Sequence, residues 1–354
     1  MNKLTFFPTL WNGRKKMEID LTQLNKRRAY TSHRTQVLKS KLTEADNILA
    51  GKACVYATGS FGRLEAGENS DLDLFIVGKV DASLPANGRA RKSLLTRLDE
   101  ICVKADLIEE TRSLDFPEFD GDGKYLAHYS SDEFVESLGQ PDDDSKNTLT
   151  GRLLLFLESR PLLGDKVYGE IINDVIAKYW RDYEDHKSNF IPAFLANDIL
   201  RLWRTFCVNY EARTEREPDD KKIKGKVKNY KLKHSRMLTC YSALLYLLLI
   251  HRENGTVSVS DALEMTKLTP TERLEQIVLR TQDQGEKDKI NNLLLQYEKF
   301  LINTERGDEY LSRRFASAAD GALLAKESYE FGDLMFSALH TLGKENRFYR
   351  LMVV

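Results

Sequence analysis

Two short strings constrain this chain more than anything else in it: Gly59-Ser60-Phe61-Gly62-Arg63, and then Ser70-Asp71-Leu72-Asp73-Leu74. Residues 53–58 (ACVYAT) form a β-prone run that Gly59 closes. Residues 71–77 (DLDLFIV) form a second, which starts with polar–apolar alternation. Residues 60–70 between them read as a short turn-helix-turn. On a strand, positions i and i+2 share a face and lie about 6.5–7 Å apart. Asp71 and Asp73 therefore present carboxylate oxygens side by side to a hard cation. Magnesium suits such a pair, because it takes few carboxylates and completes its shell with substrate phosphates. Two such ions can activate an attacking hydroxyl and stabilise a departing pyrophosphate.

The glycine turn complements the acids. Gly59 ends a strand and Ser60 opens a helix, where backbone N–H groups and the positive dipole end face outward. Ser60 adds a hydroxyl donor, and Gly62 leaves room for close backbone approach. Arg63 either contacts phosphate or ties the turn to Glu65 or Glu68.

Strand, phosphate-binding turn, short helix and DxD strand together resemble the DNA polymerase β-like nucleotidyltransferase superfamily. Residues 149–165 (LTGRLLLFLESRPLLGD) are similar to the helix after the catalytic sheet in the nitrogen-signalling uridylyltransferase and its relatives. The resemblance covers about residues 50–250 and includes no HD hydrolase pair, so it does not imply removal activity. It implies an α+β fold: a small mixed β-sheet nucleotidyltransferase core, followed by a mostly helical domain. The expected divisions are a helical lead-in over 1–50, the core over 51–144 and the helical domain over 145–354. The implied activity is magnesium-dependent transfer of a nucleotidyl group from an NTP or dNTP to a hydroxyl acceptor. Asp71 and Asp73 are then the metal ligands for two Mg²⁺ ions, and Gly59 and Ser60 bind phosphate. Many members carry a third carboxylate. Here the candidates are Glu118, Asp120 and Asp122, with Asp122 favoured because Gly121 and Gly123 frame it. The acceptor is a nucleotide or oligonucleotide end, as in second-messenger synthases and antiviral-defence enzymes, or a protein side chain. In the first case Tyr349 is a candidate priming residue. A nucleotide- or RNA-binding regulator without turnover is the alternative of a different class.

Residues 221–236 (KKIKGKVKNYKLKHSR) hold eight Lys or Arg and no acid. In a chain of formal net charge −1 this is a local basic surface. It is either a solvated loop or a phosphate-binding element, with Lys231, Lys233 and Arg236 as first candidates. Asn197, Arg201 and Arg204 share a second polar face, turned to phosphate or paired with Asp198 or Glu211. His128 reads as structural, Trp203, Phe206 and Tyr210 as core, and Phe348-Tyr349 as exposed. Leu94, Leu95, Leu98, Ile101 and Cys102 form the expected apolar stripe of a helix over 88–114. The four cysteines show no metal spacing, which points to a reduced, cytoplasmic setting. The longest apolar run, 238–250, falls short of the roughly 20 residues that span a bilayer, so no membrane partner is expected.

Overall fold

The computed structural model describes residues 19–81, 83, 91–119, 126–214 and 219–353. Helices α1 (Thr22–Lys41) and α2 (Thr43–Leu49) lead into strand β1 (Ala53–Thr58), the single turn α3 (Gly59–Gly62) and strand β2 (Asp73–Gly78). Helix α4 (Arg97–Ser113), strand β3 (His128–Ser130) and the short helices α5 (Ser131–Glu136) and α6 (Asp142–Ser145) follow. Helix α7 (Thr148–Leu157) then precedes strand β4 (Arg160–Leu163).

The sheet order is β3-β2-β1-β4. β1 is antiparallel to both β2 and β4, and β2 is parallel to β3, so the sheet is mixed as expected. The expected boundary at 144 does not separate sheet from helices, because β4 lies beyond it and pairs with β1. Side-chain alternation sorts β2 between two cores. Leu74 and Ile76 join Leu38, Leu42, Val103 and Leu107 under α1, α2 and α4. Phe75 and Val77 join Tyr56 in the core shared with the helical half. Asp73, two residues before Phe75, belongs to that second face.

The remaining chain is helical: α8 (Asp165–Tyr179), α9 (Ala193–Thr214), α10 (Asp219–Lys231), α11 (Met237–Asn254), α12 (Val259–Lys267), α13 (Pro270–Arg280), α14 (Gln284–Thr304), α15 (Gly307–Ala316), α16 (Ala318–Gly343) and α17 (Arg347–Val353). Residues Leu232–Arg236 form a π-helical turn that joins α10 to α11. The apolar run 238–250 is the buried middle of α11, which packs on α9, α13 and α16. No helix among the described residues is long and apolar enough to cross a membrane.

Several local expectations are corrected. The stripe expected over 88–114 is split: Leu94 and Leu95 precede α4, with Leu95 buried, whereas Leu98, Ile101 and Cys102 on α4 face outward, Leu98 at 75 % exposure, and Glu100, Val103, Leu107 and Thr111 face inward. Glu100 tolerates that position because His128, Arg97 and Lys104 all bind its carboxylate. The basic run is not a loop but α10, anchored by buried Val227 and Tyr230. Phe348 is fully buried, and Tyr349 packs against Gly343 and His340.

A buried polar pin joins α6, α7, α8 and α9. Arg152 on α7 is inaccessible to solvent and donates to both carboxylate oxygens of Asp143 at 2.9 and 2.8 Å. Its Nε donates to the Tyr179 hydroxyl at 2.9 Å, which itself donates to Asp198 at 2.7 Å. Arg201 turns to the same acids, reaching Asp143 at 3.2 Å and Asp144 at 2.6 Å. Removing one partner of such a cluster strands the others without water. Arg152→Ala is therefore expected to lower unfolding free energy by about 3–5 kcal/mol, read from urea denaturation. An unchanged midpoint would show that the pin contributes nothing.

Candidate active site

The register Thr58↔Asp73 places the end of β1 beside the start of β2. The glycine turn that continues β1 thus abuts Asp73. Gly59 has φ +62°, and a Cβ there would lie 2.6 Å from Asp73 Oδ2. Glycine is required on both counts. Asp71 is exposed and lies just ahead of β2, rather than within the strand as the alternation suggests.

Gly62 has a different role from the expected one. A Cβ there would fall 1.9 Å from the Glu158 carbonyl and 2.8 Å from that of Ala57. It makes room for the protein's own backbone rather than for a phosphate. Ser60 sits at the start of a turn of only four residues, so little macrodipole accumulates there. What the turn offers is its leading N–H groups.

Glu158, which no motif in the sequence marks, organises the site. It follows α7, is buried, and accepts from Gly59 N–H at 3.3 Å, Arg63 Nη1 at 2.7 Å and Thr239 Oγ1 at 2.6 Å. Arg236 also donates to it, from the end of the π-helical turn. Burial alone would raise the Glu158 pKa, but the Arg236 and Arg63 charges overcome it and hold the group down at about 2. Arg63 is itself buried and donates through Nε to Glu65 at 2.9 Å. Of the two roles considered for Arg63, the tie to Glu65 is the one present. Glu65 receives the Tyr297 hydroxyl at 2.7 Å from α14, and its backbone carbonyl receives Arg27 from α1.

Asp73 has the opposite electrostatics. Burial pushes its pKa up to about 6; Glu158 and Asp71 add to the rise, and Arg236 and Arg63 oppose it. A desolvated carboxylate beside a second one is a donor set short of positive charge. The pair thus fits a divalent cation, which Asp71 and Asp73 would hold. No cluster of three or more potential metal ligands occurs among the described residues. Asp122 and Asp120 lie outside the described residues. Glu118 is exposed and paired with Arg112 at 2.9 Å.

The basic candidates separate. Arg236 is at the site, with its guanidinium 5.3 Å over the Phe206 ring. Lys231 instead pairs with Asp308 at 2.5 Å, and the Lys233 ammonium lies 4.2 Å over the Tyr329 ring. Neither touches the carboxylate cluster among the described residues. His128 is structural as read, bridging Glu100 and Ser93 at 3.0 Å each on the opposite sheet face.

Glu158 generates a pH-dependent expectation. Its folded-state pKa lies below the unfolded value, so its stabilisation is present above about pH 4.5 and fades as pH falls toward 2. Glu158→Gln is expected to unfold more easily than the parent at pH 7, by a few kcal/mol. In urea melts the gap should narrow steadily below pH 5. A gap that is constant with pH would show that the charge is not what matters.

Residues 38–123 match the family model of a nucleotidyltransferase domain. That span contains the glycine turn, Asp71, Asp73 and Asp122, and stops short of β3, Glu158 and Arg236. Neither the curated proteins nor the solved structures contain a significant match to the chain.

Proposed function

We propose that the chain transfers a nucleotidyl group from a nucleoside or deoxynucleoside triphosphate to a hydroxyl acceptor. The observation that carries this reading is Asp73 packed against a turn that only glycine can form, with Asp71 exposed two residues before it. Asp71 and Asp73 hold Mg²⁺, two ions in all, which when bound supplies charge neutralisation for the triphosphate and acidifies the acceptor hydroxyl. Gly59 and Ser60 present the turn to the phosphates. Arg236, partly exposed beside Asp73, neutralises the triphosphate, while buried Arg63 braces the turn from behind. Asp122 is the proposed third carboxylate and takes the acceptor proton. The acceptor oxygen bonds to the α-phosphorus, the bond from that phosphorus to the bridging oxygen breaks, and pyrophosphate leaves.

Residues 149–165 fold as α7, β4 and the start of α8. Their similarity to the uridylyltransferase relatives is the reason to place the chain nearest that group. A nucleotide-type acceptor is favoured over a protein side chain because α10 carries a row of lysines. Protein modification is the second outcome of the same assay.

The test is incubation with each NTP and dNTP plus Mg²⁺, followed by mass analysis of the products and of the protein. Pyrophosphate release is expected, with loss of roughly 10³-fold or more in Asp71→Asn/Asp73→Asn, since metal-held charge stabilisation is the largest contribution to such transfers. Undiminished turnover in that variant would remove these carboxylates from the mechanism. NTP binding without pyrophosphate would point to the regulatory alternative.

A further inference from the structure

The lysines of α10 that do not reach the catalytic carboxylates have a setting of their own. Lys226 and Asn229 on α10, and Lys233 in the π-helical turn, line one wall of a groove against the first half of α16. They fall at i, i+3 and i+7, so one face of the helical rod carries them. The groove has a volume of about 330 Å³. Its opposite wall includes Gly321, Ala322 and Tyr329.

Three observations set this groove apart from an ordinary solvated face. Lys226 is exposed and has no carboxylate partner among the described residues, unlike Lys231 with Asp308. Tyr329 is 64 % exposed, a large aromatic left at the surface with the Lys233 ammonium 4.2 Å over its ring. The cationic row lies in a chain of net charge −1, so it is not part of a generally basic surface.

We infer that this groove binds single-stranded nucleic acid, with Lys226 and Lys233 on successive phosphates and a base stacked on Tyr329. Ammonium groups along a concave wall follow a phosphate backbone, and an exposed aromatic offers a π-face that any base can use. A duplex hides its base faces and cannot use Tyr329. An acidic peptide would satisfy the lysines but has no use for the ring. The same helical rod continues from Lys233 to Arg236, which turns to Glu158, so the groove and the glycine turn are joined by one π-helical turn. That a bound strand serves as the acceptor rests on the proposed transfer, whereas its binding does not.

The test uses the intact protein in EDTA without NTP, and fluorescence anisotropy of a short fluorescein-labelled deoxythymidine oligomer. Binding is expected at low salt and is expected to persist in Asp71→Asn/Asp73→Asn, which separates this inference from the catalytic one. Tyr329→Ala is expected to weaken binding about tenfold, with Tyr329→Trp restoring it, since stacking and not the hydroxyl is required. Lys226→Ala/Lys233→Ala is expected to flatten the slope of log affinity against log salt by about 1.4, or ~0.7 for each single-strand phosphate no longer neutralised. Circular dichroism melts of each variant should match the parent, because Lys226 and Tyr329 are exposed and half-buried Lys233 contributes a surface cation–π contact rather than core packing. The inference is overturned if the parent does not bind, or if the lysine variant binds with the parent's slope. It is also overturned if thymidine triphosphate or polyglutamate of equal charge displaces the oligomer as well as unlabelled oligomer does.

Discussion

A single buried carboxylate joins the two halves of this protein. Glu158 lies at the end of α7, one residue from the last sheet-bound segment, and receives hydrogen bonds from the glycine turn, from Arg63 behind it and from two residues of the helical half, Thr239 and Arg236. A carboxylate out of water is tolerable only with such a set of charged donors. Each donor is therefore fixed in place by the same requirement. The turn cannot drift from the sheet without exposing Glu158 to an unbalanced charge, and neither can the helix that carries Arg236. The resulting field is asymmetric. Glu158 has more positive charge than it needs and stays ionised, while Asp73 a few atoms away has too little.

The same logic extends outward from the site. Arg63 also binds Glu65, Glu65 binds Tyr297 of α14, and Arg27 of α1 reaches the Glu65 carbonyl at 3.0 Å and the Leu301 carbonyl at 2.7 Å. Glu298 of α14 accepts from the backbone N–H of Leu24 at 2.9 Å and also from that of Gln23, so it caps α1 where that helix has no cap of its own. The first and last thirds of the chain thus close around residues 63–71. Gly307 packs on Asn69 from the other side. The segment between β1 and β2 is thus held by elements remote in sequence as well as by its own turns, such as Glu65 N–H to the Ser60 carbonyl at 2.8 Å.

That dependence explains which features are legible in the sequence and which are not. Gly59, Asp73 and the flanking strands lie in one short stretch whose spacing maps onto strand geometry, with Asp71 falling just ahead of the strand expected to carry it, and the mixed sheet with its helical continuation follows from them. Glu158 sits 95 residues from Arg63, in a run whose apolar neighbours announce only burial. Nothing local says which arginine it will meet. Hydropathy turns the wrong face of α4 inward for a related reason: the buried side carries Glu100, which hydropathy places outside and which three cationic or imidazole partners bring in. Gly62 suggests a ligand in the sequence because its actual neighbour, the Glu158 carbonyl, is equally remote.

The π-helical turn at Leu232–Arg236 has one further consequence. A π turn takes in a residue that an ordinary helix would not, and each residue turns an α-helix by about 100°. The rod from α10 into α11 therefore changes phase at this point. Upstream of it the cationic face looks toward α16, and downstream Arg236 looks toward the sheet. Adding or removing a single residue here would leave α10 and α11 intact yet aim the arginine elsewhere. At this juncture, the aim of the arginine depends on the number of residues as much as on their kinds.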